Sequence, residues 1–130
     1  MVRYALAIFT SAFLLFGVQP LAGRYALPWY GGTPAVWTAC MLFFQAVLLA
    51  GYAYAHAVAS RLRPRAQAAL HLSLLVVALA ALAARASWTG STLAPGDGWR
   101  PVDDHLPVLR LMRMLAATLG LPFFVLSTTG

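Results

Sequence analysis

The feature that most constrains this chain is the run 35–59, which contains no Asp, Glu, Lys or Arg. A helix over this run is about 37 Å long, enough to cross a hydrocarbon core of about 30 Å with some tilt. The runs 4–22, 66–85 and 108–130 are similarly apolar. The sequence therefore predicts an all-α membrane protein with a single domain, 1–130, an antiparallel bundle of about four transmembrane helices.

Composition argues against a soluble domain. The chain is 62% hydrophobic and 9% charged, whereas an average soluble domain is about 25% charged. Its formal net charge of +6 comes from arginines that are scattered singly or lie in one short turn. They do not form the basic stripe of a nucleic-acid-binding face. The expected partner is the lipid bilayer, and no nucleic acid is expected.

Turn residues and arginines predict the connections between the spans. Gly and Pro residues predict loops over 23–34 and 87–107, and three arginines lie in the turn 60–65. The positive-inside rule assigns this basic turn to the cytoplasm and the two loops to the outer side. We expect a multi-pass protein of the bacterial inner (cytoplasmic) membrane with a cytoplasmic N-terminus.

The fourth span is the least regular. Arg110 and Arg113 share one helix face, and each would cost about 3 kcal/mol near the bilayer centre. We therefore expect both at the membrane edge, with the apolar part of the span beginning near Met114. Only about 17 residues then remain, roughly 25 Å of helix, which is short for a crossing. This predicts that the last span is truncated.

Helix two carries a polar stripe of Thr38, Gln45, Tyr52 and His56. Spacings of seven, seven and four residues place these side chains within about 40° of one another. One interpretation is a groove that faces a substrate or protons, since polar residues at membrane depth are costly and often functional. The other is a packing face between helices, which is favoured because none of the four carries a permanent charge.

Other features suggest breaks in the helices but no chemistry. Pro20, after Gln19, and Pro122 each remove a helical hydrogen bond, which indicates either an interruption of the kind that lines cavities in membranes or a simple kink. Cys40 is the only cysteine, and His56 and His71 are too few ligands for a metal site. No dinucleotide, P-loop, hydrolase or zinc-protease motif occurs. No catalytic residue, cofactor or metal site is predicted.

Several short motifs are more specific than a generic apolar helix. They are Val18-Gln19-Pro20, Leu27-Pro28, Gly31-Gly32-Thr33-Pro34-Ala35-Val36-Trp37, Phe43-Phe44-Gln45, Gly51-Tyr52-Ala53-Tyr54-Ala55-His56 and Leu121-Pro122-Phe123-Phe124-Val125-Leu126-Ser127. With them the chain resembles the membrane-embedded spermidine-synthase-like family, described as fused major-facilitator and spermidine synthase proteins. The resemblance covers nearly the whole chain apart from residues 87–107.

This resemblance implies the N-terminal membrane part of such a protein, with no catalysis of its own. Full-length relatives continue with further helices or a C-terminal soluble aminopropyltransferase-like domain that acts on polyamines. Two alternatives stay open: part of a major-facilitator-like transporter for a polyamine or another small solute, and a small structural membrane subunit. The candidate groove or motif residues, without assigned roles, are Gln19, Pro20, Gly31, Gly32, Trp37, Gln45, Tyr52 and His56.

Overall fold

The computed structural model describes residues 2–90, 96–99 and 107–128. Four helical segments in this part of the chain are long and apolar enough to cross a membrane, which confirms the predicted all-α membrane bundle. Their bounds are α1, Val2–Tyr30; α2, Pro34–Arg61; α3, Pro64–Thr89; and a fourth span that consists of α4, Pro107–Leu115, a π turn, Ala116–Gly120, and α5, Leu121–Ser127.

Prolines begin three of these helices, α2, α3 and α4, and glycines follow the ends of two. Pro34 and Pro64 are the first residues of α2 and α3, where the missing N–H is not needed and the fixed φ suits a helix. Gly31 and Gly90 have φ angles of 83° and 69°, a left-handed conformation that disfavours other residues. Their N–H groups donate to the carbonyls four residues earlier, at 2.9 and 3.0 Å.

The loop predicted over 23–34 is wrong for most of its length, because α1 continues to Tyr30. Of the two interpretations of Gln19-Pro20, the interruption is wrong as well, since α1 continues through both Pro20 and Pro28. Proline is tolerated within membrane helices because neighbouring groups and small backbone adjustments satisfy the freed carbonyl. The left-handed Gly31, rather than either proline, marks where α1 ends.

The other predicted boundaries shift by a few residues. Only Leu62 and Arg63 lie between α2 and α3, so the turn predicted over 60–65 is shorter than expected. The loop predicted over 87–107 begins later, because α3 extends to Thr89. Residues 91–95 and 100–106 of that loop lie outside the described part, as do residues 129–130 of the predicted fourth span.

The core lies between α2 and the fourth span. Phe44 and Phe123 meet there with ring centroids 4.9 Å apart. α1 adds Ala22 and Ala26 to this core, whereas most of its first half is exposed. α3 packs chiefly against α5, and of its described side chains only that of Ala78 is buried. The bundle is therefore tightest around α2 and the fourth span.

A short 3₁₀ turn, Asp97–Trp99, closes one end of the bundle. The hydroxyl of Tyr30 donates to the carbonyl of Trp99 at 2.9 Å. Arg110 donates from Nη2 to the carbonyl of Gly98 at 3.3 Å. These contacts fasten the turn to the ends of α1 and α4 and give the Arg110 guanidinium a polar partner at the end of its helix.

Candidate functional site

The polar stripe of α2 lies on the outside of the bundle. Thr38, Gln45, Tyr52 and His56 are all exposed, and we call them the outward polar face. At 100° per residue, the centre of the side that α2 buries lies roughly 160° around the helix from Gln45. The buried side consists of Val36, Ala39, Cys40, Phe43, Phe44 and Gly51.

Its outward position bears on both interpretations of the stripe. Thr38 donates from its hydroxyl to the carbonyl of Pro34, four residues earlier in the same helix, at 2.8 Å. Gln45, Tyr52 and His56 make no side-chain hydrogen bond that the described residues reveal. The described helices therefore enclose no groove around the stripe and do not pack against it.

The remaining sequence-predicted residues lie apart from that face. Gln19 is half-buried and Pro20 is exposed within the continuous α1. Gly32 is exposed, and a side chain there would meet nothing within 4 Å. Trp37 is half-exposed, and its ring comes within 4.0 Å of the point where a Cβ on Gly23 would lie. These positions form no joint site among the described residues.

A second polar feature, which the motifs do not indicate, lies in the fourth span. The π turn Ala116–Gly120 widens the helix just before Pro122. Proline has no N–H to donate. In a π turn, each N–H donates to the carbonyl five residues earlier. The carbonyl of Ala117 would therefore accept from residue 122, but Pro122 has no N–H to offer. Arg85 of α3 supplies a donor instead, with Nη1 3.2 Å from the Ala117 carbonyl oxygen.

The Arg85 contact lies at one end of a row of residues on one side of α3, three of which are polar. Gln67, His71, Ala78 and Arg85 follow one another at spacings of four, seven and seven residues, which keeps them on one side of the helix. Nδ1 of His71 lies 3.5 Å from the hydroxyl of Thr128. The same spacing rule that reveals the stripe on α2 would have found this row. The sequence interpretation missed it because Arg85 was regarded as the end of a span.

Two surface clefts flank the fourth span, and both are apolar. One, of about 180 Å³, lies between α3 and α5 beside Pro122. The other, of about 440 Å³, lies between α2 and the π turn and is lined by residues such as Phe43 and Gly120. Apolar clefts of this kind suit acyl chains or the side chains of a neighbouring helix, because they offer no partner to a polar solute.

The described residues contain no group of three or more His, Cys, Asp or Glu side chains placed to hold a metal ion. His56 points outward from α2, whereas His71 lies beside Thr128. The third histidine, His105, is outside the described residues.

Comparisons with known proteins add no assignment. No protein-family model, no curated protein and no solved structure matches this chain.

Proposed function

We propose that this chain is the membrane domain of a spermidine-synthase-like protein, and that it serves as a helical scaffold without catalysis of its own. One observation carries the proposal. Motif residues from two distant stretches meet on a single interface: Phe44 packs against Phe123, and Gly51 lies against Ser127. Nearby, the rings of Tyr54 and Phe124 meet edge to face at 5.5 Å. Part of the resemblance therefore lies in residues that pack α2 against α5.

A scaffold also agrees with the chemistry of this interface. Its centre is filled by aromatic and aliphatic side chains, and the adjoining clefts are apolar. Membrane helices associate through close packing and hydrogen bonds between helices, because lipid removes the hydrophobic driving force. A motif that produces such packing favours a structural role over one in binding a polar substrate.

The second candidate is part of a major-facilitator-like transporter, and the π turn favours it. Wide turns and prolines within membrane helices often occur where a helix moves or lines a path. The four spans contain no Asp or Glu, so they offer no carboxylate to a polyamine cation. A solute that used the Arg85 region would accordingly be neutral or anionic.

The two candidates are separated by assays on the full-length gene product in native membranes. The scaffold proposal expects the reading frame to continue past codon 130 into a soluble domain that bears a Gly-rich loop and acidic residues. It also expects solute uptake to stay at the level of membranes without the protein. Uptake that depends on Arg85, lost in Arg85→Met but kept in Arg113→Met, would replace the scaffold with the transporter. Further apolar spans in place of a soluble domain would argue for the same change.

For topology, we propose a cytoplasmic N-terminus in a bacterial inner membrane. Arg61, Arg63 and Arg65 are all exposed around the α2–α3 turn, where free positive charge retains a loop in the cytoplasm. At the opposite end, Arg85 and Arg110 are engaged with carbonyl groups. A phosphatase reporter fused after Arg65 should be inactive and one fused after Gly90 active. The reverse pattern would invert the proposed orientation.

A further inference from the structure

The turn between α2 and α3 brings three arginines together at one end of the bundle. Arg61 is the last residue of α2, Arg63 lies in the turn, and Arg65 is the second residue of α3. All three are exposed. Arg63 and Arg65, with Pro64 between them, line an open cleft of about 360 Å³. Two of the three arginines therefore share one cleft.

These arginines have no partner within the bundle. None of the three guanidiniums makes a hydrogen bond or an ion pair in the part of the chain that the structure describes. The Leu62 carbonyl, at the end of α2, accepts instead from Nε2 of Gln67 at 2.9 Å. Arg85 and Arg110, by contrast, donate to carbonyl groups. The five N–H donors of each guanidinium in the turn thus remain available to an external acceptor.

The acidic side chains of this sequence are placed far from the turn. Asp97, Asp103 and Asp104 are the only three, and all follow α3 and precede α4. α3 has 26 residues and is about 39 Å long, so this connection begins at its opposite end. The negative charge that complements the three arginines therefore comes from another molecule or from outside residues 1–130.

Helix length sets the depth of the turn in a bilayer. α2 has 28 residues and is about 42 Å long. A bilayer is about 40–45 Å thick with its headgroups, so spans of this length end among the headgroups. The two residues between α2 and α3 extend the chain by at most about 7 Å. The three arginines are therefore held in the layer that contains the lipid phosphates.

We infer that the α2–α3 turn binds the phosphate of an anionic phospholipid headgroup, with Arg63 and Arg65 in contact with it and Arg61 adding a third charge. Guanidinium groups bind phosphate oxygens through pairs of N–H donors. The bilayer supplies such phosphates at this depth, whereas an acidic protein or a soluble anion would have to be recruited there. The inference requires that the bundle spans a membrane. It does not depend on the leaflet that the turn faces, on the family resemblance or on the scaffold role.

Native mass spectrometry of the full-length protein in detergent tests this site, because it resolves each bound lipid. Phosphatidylglycerol, which is anionic, should bind at least about tenfold more tightly than zwitterionic phosphatidylcholine in the first binding step. Arg63→Gln and Arg65→Gln should each weaken phosphatidylglycerol binding about fivefold, the effect of one arginine near a membrane surface. Binding of phosphatidylcholine should change less than about twofold. Equal affinity of the wild type for the two lipids would overturn the inference.

The matched control is Arg24→Gln. Arg24 is also an exposed arginine, but it lies six residues before the end of α1, toward the opposite end of the bundle. This variant should change phosphatidylglycerol binding less than about twofold. A loss as large as that of Arg63→Gln would mean that the net charge of +6 attracts the lipid without a site at the turn. Each variant should unfold like the wild type by circular dichroism, since these side chains are exposed.

Inorganic phosphate distinguishes a lipid site from a site for a soluble anion. It should displace phosphatidylglycerol no better than chloride at the same ionic strength, because a free anion lacks the acyl chains that keep the headgroup beside the turn. Selective displacement by inorganic phosphate would mean that the cleft takes a soluble phosphate, and would overturn the lipid assignment. Displacement by either salt to the same small extent is the expected screening of exposed charges.

Discussion

The fourth span packs against α2 on one side and against α3 on the other, and the two contacts use different residues. On the α2 side, Phe44 meets Phe123, and Gly51 allows the backbone around Ser127 to come close. On the α3 side, Ala78 is the only buried one among the described side chains of α3, and an apolar cleft of about 180 Å³ remains beside Pro122. The shorter of the two polar contacts named across this second side is that of Arg85 with the Ala117 carbonyl, at 3.2 Å, against 3.5 Å for His71 with Thr128.

This difference shows two ways of joining helices in a membrane. Where a small residue removes the gap between two backbones, dispersion contacts accumulate and no polar group is needed. Where proline frees a carbonyl, a polar side chain from a neighbouring helix can satisfy it, and close packing is secondary. We call these contacts the packed seam (α2 with the fourth span) and the polar seam (α3 with the fourth span). The following predictions distinguish the two.

The largest effect is expected at Phe123, which is 0% exposed in the packed seam. Phe123→Ala should lower the free energy of unfolding by about 3 kcal/mol, because a buried aromatic ring is lost and a cavity remains. The measurement is unfolding in mixed micelles by added sodium dodecyl sulfate, followed by circular dichroism. Phe13→Ala is the control, since this ring is 69% exposed on α1 and its loss should change the free energy by less than about 0.5 kcal/mol. Similar losses in both variants would mean that the packed seam is not a core.

Gly51→Ala should destabilise the bundle by about 1–2 kcal/mol, because overpacking forces a close contact apart. The added Cβ would lie 2.7 Å from the Cβ of Ser127 and 3.2 Å from its carbonyl carbon. The sign of this change in the free energy of unfolding is diagnostic, because Gly→Ala within a helix normally stabilises by about 0.5–1 kcal/mol. Unfolding in the same micelles measures the change.

The matched control for this substitution is Gly17→Ala in α1, where a side chain would meet nothing within 4 Å. That variant should be as stable as the wild type or slightly more stable. In a Ser127→Gly background, Gly51→Ala should cost less, because the obstructing side chain is gone. An unchanged cost there would show that some neighbour other than the Ser127 side chain limits the approach of the two helices.

The polar seam is tested by a double-mutant cycle on Arg85 and Pro122. Arg85→Met should destabilise the wild type by about 1 kcal/mol more than it destabilises Pro122→Ala, since alanine restores an N–H to the helix and makes the guanidinium dispensable. The coupling energy comes from the four unfolding curves. Arg113 is exposed on α4 and is the control, for which Arg113→Met should show no coupling to Pro122. Absence of coupling at Arg85 would mean that the arginine contact is incidental to the proline.

The number and class of the helices could be predicted from the sequence because uncharged apolar runs are long enough to cross a bilayer only as helices. The end predicted for the first span, at residue 22, was wrong for a physical reason. A proline such as Pro28 destabilises a membrane helix less than it destabilises a soluble helix. The true end of α1 required the left-handed conformation of Gly31, which the Gly31-Gly32 pair indicates only as a turn somewhere nearby. The starts of α2 and α3, at Pro34 and Pro64, were predicted to within two residues.

The candidate site was harder to predict, because both sides of a membrane helix are apolar and periodicity gives little contrast. The stripe with Gln45 was correctly grouped on one side of α2, but no sequence signal indicated that this side turns away from the core. The contact of Arg85 with Ala117 joins residues 32 apart in sequence. It depends on the π turn, and Gly120 and Pro122 are the only local signs of such a turn. Which helix would supply the donor depends on the packing of the whole bundle.

The smallest effect is expected at the far end of the polar seam, where His71 approaches Thr128. Their 3.5 Å separation is long for a hydrogen bond, and the Thr128 hydroxyl also donates to the Val125 carbonyl at 2.7 Å. His71→Leu should therefore change the free energy of unfolding by less than about 0.5 kcal/mol, no more than Ser73→Ala, whose hydroxyl bonds only within α3. A loss near 1 kcal/mol would show that the polar seam continues along α3 from Arg85 to His71. α3 would then be held along its length by polar contacts, and the contrast with the packed seam would extend to the whole helix.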